Sequence, residues 1–200
     1  MRAATILAGL ASALGALAQD AEYTTFENRV IYTPEANFTD PRVLYARARE
    51  LSDGVLLATW ENYSPEPPAV HFPIYESVDH GASWEEISQV HDEVNGWGLR
   101  YQPDVFELPQ DVGEFEKGTI IVAGNSIPTD LSQTKIDVYA SRDRGKTWEF
   151  ASSVAQGGVA QPVNSETPVW EPHIMYVSLA SSLFQQHIQV PATNTPKHPR

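Results

Sequence analysis

Cysteine is absent from the 200-residue chain, and positive charge is scarce. Without cysteine, stability comes from packing and hydrogen bonds and not from cross-links. The 13 Lys and Arg are outnumbered by 26 Asp and Glu, which gives a net charge of −13 at pH 7. Nucleic-acid binding needs a basic face, so we exclude it and interpret the acidity as a solvated surface. The chain also lacks metal-ligand histidine spacing and nucleotide-binding motifs, so we expect neither a metal nor a cofactor.

Long apolar runs are also missing, apart from one at the N-terminus. There, Arg2 precedes an apolar stretch over residues 6–17, and Ala16-Leu17-Ala18 forms an A-x-A cleavage sequence. This pattern predicts a secretory signal peptide over residues 1–18, because the stretch is too short to span a bilayer. No later segment is apolar for long enough, so we predict a secreted, extracellular protein without a membrane partner.

Two sequons fit an extracellular protein. Asn37-Phe38-Thr39 is a plausible glycan acceptor. Asn62-Tyr63-Ser64 is a poorer one, because Pro65 follows it.

The most informative feature that is present is a motif that occurs twice. Residues 77–84 and 141–148 share the pattern S-x-D-x-G-x-[ST]-W at an offset of 64 residues (141 − 77). The match extends upstream, since the Gly-led apolar segments 54–58 and 118–122 each begin 23 residues before the motif (77 − 54 and 141 − 118). A fixed period of this size indicates one supersecondary unit that is repeated.

Alternation and turn residues divide each unit into four short strands. The predicted strands lie near residues 41–49, 54–60, 70–77 and 83–90, then 102–108, 118–123, 135–141 and 147–154. Four antiparallel strands per unit of about this size are typical of a β-propeller blade. A third unit opens at Val169-Trp170-Glu171-Pro172. The sequence therefore predicts an all-β fold with about two and a half blades over residues 19–175.

The repeated motif is the turn between the third and fourth strands, called an Asp box in sialidases and related propellers. Its aspartate can accept hydrogen bonds from turn N–H groups, its glycine permits positive φ, and its tryptophan fills the space between sheets. The structural residues are Asp79, Gly81, Trp84, Asp143, Gly145 and Trp148. A catalytic role for the two aspartates is disfavoured, because equivalent positions on different blades lie far apart.

Strand direction places the candidate site at the opposite end of the blades. With antiparallel strands, the starts of the innermost strands and the loops between blades share one face, called here the top face. Arg47, Gln102 and Glu171 are expected near the start of the inner strand in successive units. Glu171, between Trp170 and Pro172, is expected to be buried at the mouth of the site, where its pKa would be raised as an acid catalyst requires; the alternative is a blade-edge carboxylate held by a backbone N–H. For Gln102 function and structure stay open, and Arg47 could instead pair with a structural acid.

Three further residues are candidate sugar contacts. Trp97 lies in a top-face connection, where a flat aromatic ring can stack on a sugar or pack on its own blade. Glu61 and Asn62 open the first top loop and could hydrogen-bond hydroxyl groups or simply be solvated.

Three segments together suggest a family: residues 51–63, residues 94–103 and residues 167–172. They resemble fungal glycoside hydrolase family 93, within the sialidase and Asp-box superfamily. The resemblance implies a six-bladed propeller that releases arabinobiose from linear 1,5-α-L-arabinan by an exo-acting, retaining mechanism. It also implies that Glu171 is one of two catalytic carboxylates, and we take the adjacent Trp170 as a further candidate substrate contact. Arg47-Ala48-Arg49 departs from the Arg-Ile-Pro of true sialidases.

The chain is short for that family and its end changes character. Six blades at this period need nearly 400 residues (6 × 64), and the family's second carboxylate lies outside this chain. Residues 172–200 contain no Asp or Glu, so we predict an aberrant or disordered tail over 176–200. We also predict that this form is truncated and inactive, because an unclosed ring leaves unpaired strand edges. The full-length enzyme is expected to be monomeric. The alternatives are a non-catalytic propeller that binds glycans or proteins, an exo-sialidase, and a product without function.

Overall fold

The computed structural model describes residues 29–177. The predicted signal peptide and residues 178–200 of the predicted tail lie outside the described residues, so these domain assignments stay predictions. Within the described range no helix is long and apolar enough to cross a membrane. The eight strands of this range are β1 Val43–Glu50, β2 Leu56–Asn62, β3 Phe72–Ser77, β4 Glu85–Val90, β5 Leu99–Glu107, β6 Ile120–Ser126, β7 Thr134–Ser141 and β8 Glu149–Gly157.

The strands form two four-stranded antiparallel sheets, β1-β2-β3-β4 and β5-β6-β7-β8. We call them blade 1 and blade 2. The prediction of an all-β fold with four antiparallel strands per repeat is therefore confirmed. The outer strands β4 and β8 begin two residues later than predicted, because the Asp-box hydrogen bonds keep residues 83–84 and 147–148 in the turn.

The main hydrophobic core lies between the two blades. Strands β2 and β6 are buried along almost their whole length, as central strands with a covered face on each side should be. The core combines side chains from both sheets: Leu57, Phe72, Ile74, Leu99, Val105, Ile120, Val122 and Tyr139. By contrast, β1 is largely exposed. On the face of blade 1 turned away from blade 2, Ile31 and Tyr32 pack against a smaller cluster formed by Ala58, Trp60 and Tyr75.

Gly124 lies where β6 packs directly against Phe72 of blade 1. A Cβ atom at this position would overlap the ring of Phe72, which is fully buried in the neighbouring blade. The matching residue one repeat earlier is Trp60 (124 − 64), which has no preceding sheet to accommodate within the described residues. The glycine is thus required by packing between blades.

We expect Gly124→Ala to lower the free energy of unfolding by about 1–3 kcal/mol, because the added methyl group overpacks the interface. Urea unfolding of Gly124→Ala, Phe72→Leu and the double variant measures this effect. The cost of the alanine should be smaller in the Phe72→Leu background, where the ring is gone. Equal costs in both backgrounds would show that Phe72 is not the cause.

Both Asp boxes have the expected hydrogen bonds. Asp79 accepts from the Ser83 N–H at 2.8 Å and the Ser83 hydroxyl at 2.6 Å, and Asp143 accepts from the same atoms of Thr147 at the same distances. Gly81 and Gly145 have φ of 90° and 85°, which confirms their predicted conformation. The two tight turns therefore depend on ionised aspartates that serve as acceptors.

The two tryptophans pack differently. Trp148 reaches the core between the blades, where its indole N–H donates to the Ser88 hydroxyl of blade 1 at 2.9 Å. Trp84 instead donates to the Gly81 carbonyl at 3.1 Å and joins the cluster around Trp60. Trp148 thus fills the space between sheets as predicted, while Trp84 faces the side of blade 1 that carries residues 31–32.

The Asp boxes should make stability depend on acid pH. Hydrogen bonds from Ser83 hold the pKa of Asp79 at about 2, and the bonds from Thr147 hold the pKa of Asp143 at about 2 although burial acts to raise it. Folded-state pKa values below the unfolded values mean that this stabilisation is complete above about pH 4 and is lost as the pH falls to about 2.

We therefore expect Asp143→Asn to be less stable than the parent at neutral pH, with a difference that shrinks between about pH 4 and 2. Urea unfolding at stepped pH values measures the difference, and Asp40→Asn in the exposed segment before β1 is the control. A difference that stays constant down to pH 2 would contradict this role of the carboxylate.

Candidate functional site

A bulge near the start of each inner strand organises the top face. In β1 the register shifts between Leu44 and Arg47, and in β5 it shifts between Tyr101 and Asp104. The two unpaired residues of each bulge lie opposite a single residue of the neighbouring strand, Trp60 or Gly124. A bulge of this kind bends the strand and redirects a side chain.

Three residues share the same unusual backbone conformation on successive inner segments. Tyr45, Gln102 and Glu171 have φ of 48°, 55° and 53°. They are therefore the equivalent positions, which confirms that the tripeptides around Gln102 and Glu171 match. Arg47, expected near the start of the first inner strand, lies in β1 just after the bulge residues Tyr45 and Ala46 and aligns with Asp104. Arg47 is exposed, and its side chain donates to the Ala46 carbonyl at 3.3 Å.

Gln102 and Glu171 are joined directly. The Gln102 side-chain oxygen accepts from the Glu171 N–H at 2.9 Å, and the Gln102 amide nitrogen lies 3.5 Å from the Glu171 carboxylate. The expected burial of Glu171 was wrong: the residue is exposed and its carboxylate faces solvent, because its segment lies at the edge of the described sheets with no further blade beside it among residues 29–177. Gln102 thus contacts both the backbone and the side chain of the candidate catalytic residue. The carboxylate is accessible to a ligand, whereas its backbone is fixed to the adjacent blade.

The segment around Glu171 is anchored to blade 2 on both sides. Before it, the Asn125 amide donates to the Val169 carbonyl at 2.7 Å. After it, the Asp104 carboxylate accepts from the Ile174 N–H at 2.7 Å and lies 3.1 Å from the His173 ring nitrogen. The third unit therefore begins against the inner strand of blade 2, in the place that a third inner strand would take.

Aromatic rings line the same face. Tyr101 lies between Tyr63 and Trp170, with ring centroids 6.0 and 6.2 Å apart. Sequence reasoning identified Trp170 but missed the two tyrosines. The matching of Tyr101 with Trp170 in the two tripeptides was the signal that could have found Tyr101. The three half-buried rings can present apolar faces of the kind that sugar rings stack on.

A cavity of about 240 Å³ opens beside these rings, between the top loops of the two blades. Its polar wall includes Arg100 and Glu66, which form a bidentate ion pair at 2.6 and 3.0 Å. The Thr129 hydroxyl also donates to Glu66, and the bond from Arg100 holds the pKa of Glu66 below its usual value. A half-buried ion pair of this geometry keeps both loops in place and leaves a cavity that suits a polar ligand.

The structure places Glu61 and Asn62 differently from the expected solvated loop. Both end strand β2, and their exposed fractions are 2% and 6%. Glu61 accepts from the Tyr63 hydroxyl at 2.8 Å and from the Gln102 N–H at 2.9 Å, so it lies beneath the surface that a ligand would touch. Burial raises the pKa of this carboxyl group.

Asn62 lines the cavity, and its amide nitrogen lies 3.3 Å from the ring of His71. Its burial leaves little room for a glycan, whereas Asn37 is exposed. Of the two sequons, only the one at Asn37 is accessible.

Trp97 belongs to a separate cluster. Its backbone N–H donates to Asp92 at 3.1 Å, and the Lys135 ammonium lies 5.2 Å from the centre of its ring. Among the described residues no contact joins it to Gln102 or Glu171. Residues 29–177 also contain no group of three or more acidic or histidine side chains that could hold a metal ion.

The anchoring of the third inner segment can be tested at a single amide. We expect Asp104→Ala to speed hydrogen exchange of the Ile174 amide by about tenfold or more, because the buried carboxylate that accepts this bond is removed. Heteronuclear NMR of the exchanging protein measures the rate, with Asp130→Ala in the exposed loop before β7 as control. Unchanged Ile174 protection would show that another group holds this segment.

No protein-family model and no curated protein sequence matches the chain. Solved structures do match it. An α-L-arabinofuranosidase from Fusarium graminearum, in complex with an iminosugar inhibitor, shares 60% identity with a TM-score of 0.76 over 76% of this chain and 43% of that one. The GH93 α-L-arabinofuranosidase of the same organism with arabinobiose shares 60% identity with a TM-score of 0.73 over 74% and 41%.

An α-L-arabinanase from Penicillium chrysogenum, complexed with arabinobiose, shares 60% identity with a TM-score of 0.73 over 74% of this chain and 42% of that one. The chain therefore spans about two fifths of the length of the solved structures that it matches.

Proposed function

The matched three quarters of the chain belong to glycoside hydrolase family 93, and on this premise we propose that the protein acts on linear α-1,5-L-arabinan. One observation carries the proposal. Glu171 presents an exposed carboxylate beside Trp170 and Tyr101, in a chain that is 60% identical to structures containing arabinobiose. Most glycoside hydrolases use a pair of carboxyl groups that flank the scissile glycosidic bond.

The described side chains suit one of the two carboxyl groups that a retaining mechanism uses and the sugar that binds beside it. The Gln102 amide lies at hydrogen-bond distance from the Glu171 carboxylate and limits its rotation, while Trp170 and Tyr101 offer ring faces to the sugar. Retention requires a second carboxyl group about 5–5.5 Å from the first. Within residues 29–177 no contact joins Glu171 to a second carboxyl group. By the family resemblance, Glu171 acts either as the acid/base or as the nucleophile, and its partner carboxyl group is supplied from outside these residues.

We also place the reaction outside the cell, with cleavage from the chain end. Support for secretion comes from the signal-like residues 1–18 and the exposed acceptor Asn37. Support for exo-acting cleavage comes from the family resemblance and from the arabinobiose in two similar structures.

The test is arabinobiose release from linear arabinan by a chain that contains residues 29–177 together with the second carboxyl group that retention requires. We expect Glu171→Gln to lower kcat by about 10²-fold or more, because the amide can neither transfer the proton nor attack the sugar. Chromatography of the released sugars measures the rate, and Glu114→Gln, on the loop at the opposite end of blade 2, is the control. Release of sialic acid from a sialoside without release of arabinobiose would overturn the substrate assignment.

A second candidate, a glycan-binding propeller without hydrolysis, is favoured because no hydrogen bond or ion pair of the described residues joins Glu171 to a second carboxyl group. It predicts saturable arabinobiose binding, with NMR shifts at Tyr101, Gln102 and Trp170 and with no sugar released. Binding that survives Glu171→Gln supports this reading. Absence of both hydrolysis and shifts at millimolar arabinobiose would exclude both functions.

A further inference from the structure

We propose that Glu61 is a positioning residue for Glu171 and acts through Gln102. The proposal rests on the proposed function for the catalytic role of Glu171. The link itself is a continuous chain of hydrogen bonds from blade 1 to the third inner segment, and it can be tested without any hydrolysis.

The burial of Glu61 requires an explanation. Its carboxylate lies at the end of β2 with 2% of the residue exposed, and the Arg47 guanidinium acts on it electrostatically without forming an ion pair among the described residues. Burial of a carboxylate that has no ion pair is costly unless its lone pairs are hydrogen-bonded. Both oxygens are used: one accepts from the Tyr63 hydroxyl at 2.8 Å and the other from the Gln102 N–H at 2.9 Å.

The Gln102 N–H is a donor that the sheet cannot satisfy. Gln102 is in the bulge of β5, with φ of 55°, so it has no register partner in β6. The left-handed conformation is energetically costly for a non-glycine residue. A bond from a buried carboxylate to this N–H offsets that cost and selects the bulged conformation.

The conformation of Gln102 then determines the position of Glu171. Only with the bulge in place does the Gln102 side chain reach the Glu171 N–H, 2.9 Å from its oxygen, and the Glu171 carboxylate, 3.5 Å from its nitrogen. Loss of the Glu61 acceptor should therefore release Glu171 although the two residues make no direct contact.

The next repeat shows a related arrangement with different chemistry. Asn125 is the counterpart of Glu61 (125 − 64), is fully buried and also reaches forward to the next inner segment, where it donates to the Val169 carbonyl. An amide can donate to a carbonyl, whereas the Gln102 N–H and the Tyr63 hydroxyl both need acceptors, which the two oxygens of a carboxylate supply. The glutamate of the first repeat therefore binds the N–H group that the β5 bulge leaves unpaired, in addition to linking the two blades.

Hydrogen exchange of the complete 200-residue chain tests the inference. We expect Glu61→Ala to speed exchange of the Gln102 and Glu171 amides by tenfold or more. The Ile174 amide, held on the same segment by Asp104, should change less than threefold. Glu61→Gln keeps an acceptor oxygen of the same reach and should restore both rates to within threefold of the parent. If Glu61→Ala does not fold, Glu61→Asp, whose shorter side chain cannot reach Gln102, replaces it with the same expected direction.

Thr59→Ala is the matched control, because Thr59 is a fully buried polar residue of the same strand whose hydroxyl has no partner among the described residues. It should leave the exchange of Gln102 and Glu171 unchanged. The inference is overturned if Glu61→Ala leaves the Glu171 amide protected, if Ile174 is released equally, or if Thr59→Ala has the same effect. Absence of arabinobiose release would contradict the proposed function but would not alter these exchange rates.

Discussion

The candidate site depends on one backbone feature, the bulge near the start of each inner strand. It places Gln102 in a left-handed conformation, and Glu171 has the same conformation on the following segment. Such residues persist only where surrounding contacts compensate for their strain. Here the compensation comes from polar partners on two neighbouring units, Glu61 beneath Gln102 and the Gln102 side chain against Glu171. The exposed carboxylate is thus supported by a buried polar network.

That network requires the two blades to keep one relative orientation. Glu61 belongs to blade 1 and Gln102 to blade 2, so their bond of 2.9 Å survives only if the apolar interface between the blades is rigid. Phe72 packing onto Gly124 and the Trp148 indole bonded to Ser88 provide this rigidity. Packing between blades and the geometry of the site are therefore coupled.

The Asp boxes take no part in the chemistry proposed for the top face. Strand direction places them at the opposite ends of the blades, and the hydrogen bonds of each aspartate stay within its own turn. Ionised aspartates at these turns explain why the motif needs a carboxylate although no ligand is involved. A residue that recurs at each repeat marks architecture, whereas Glu171 differs from its equivalents Gln102 and Tyr45 and so marks a specific role.

Local pattern alone determined the all-β class, the four-stranded repeat, the Asp-box turns and the pairing of Gln102 with Glu171, because alternation, turn residues and a fixed period are properties of neighbouring residues. Only the tertiary structure showed that Tyr45 is the residue of β1 equivalent to them, since the position of the bulge depends on which residues of β2 lie opposite. The tertiary structure also decided that Glu61 is buried and that the ring of Tyr63 packs beside the ring of Tyr101. Those outcomes depend on which strands of successive blades meet, and contacts between residues about 40 positions apart leave no mark on local sequence.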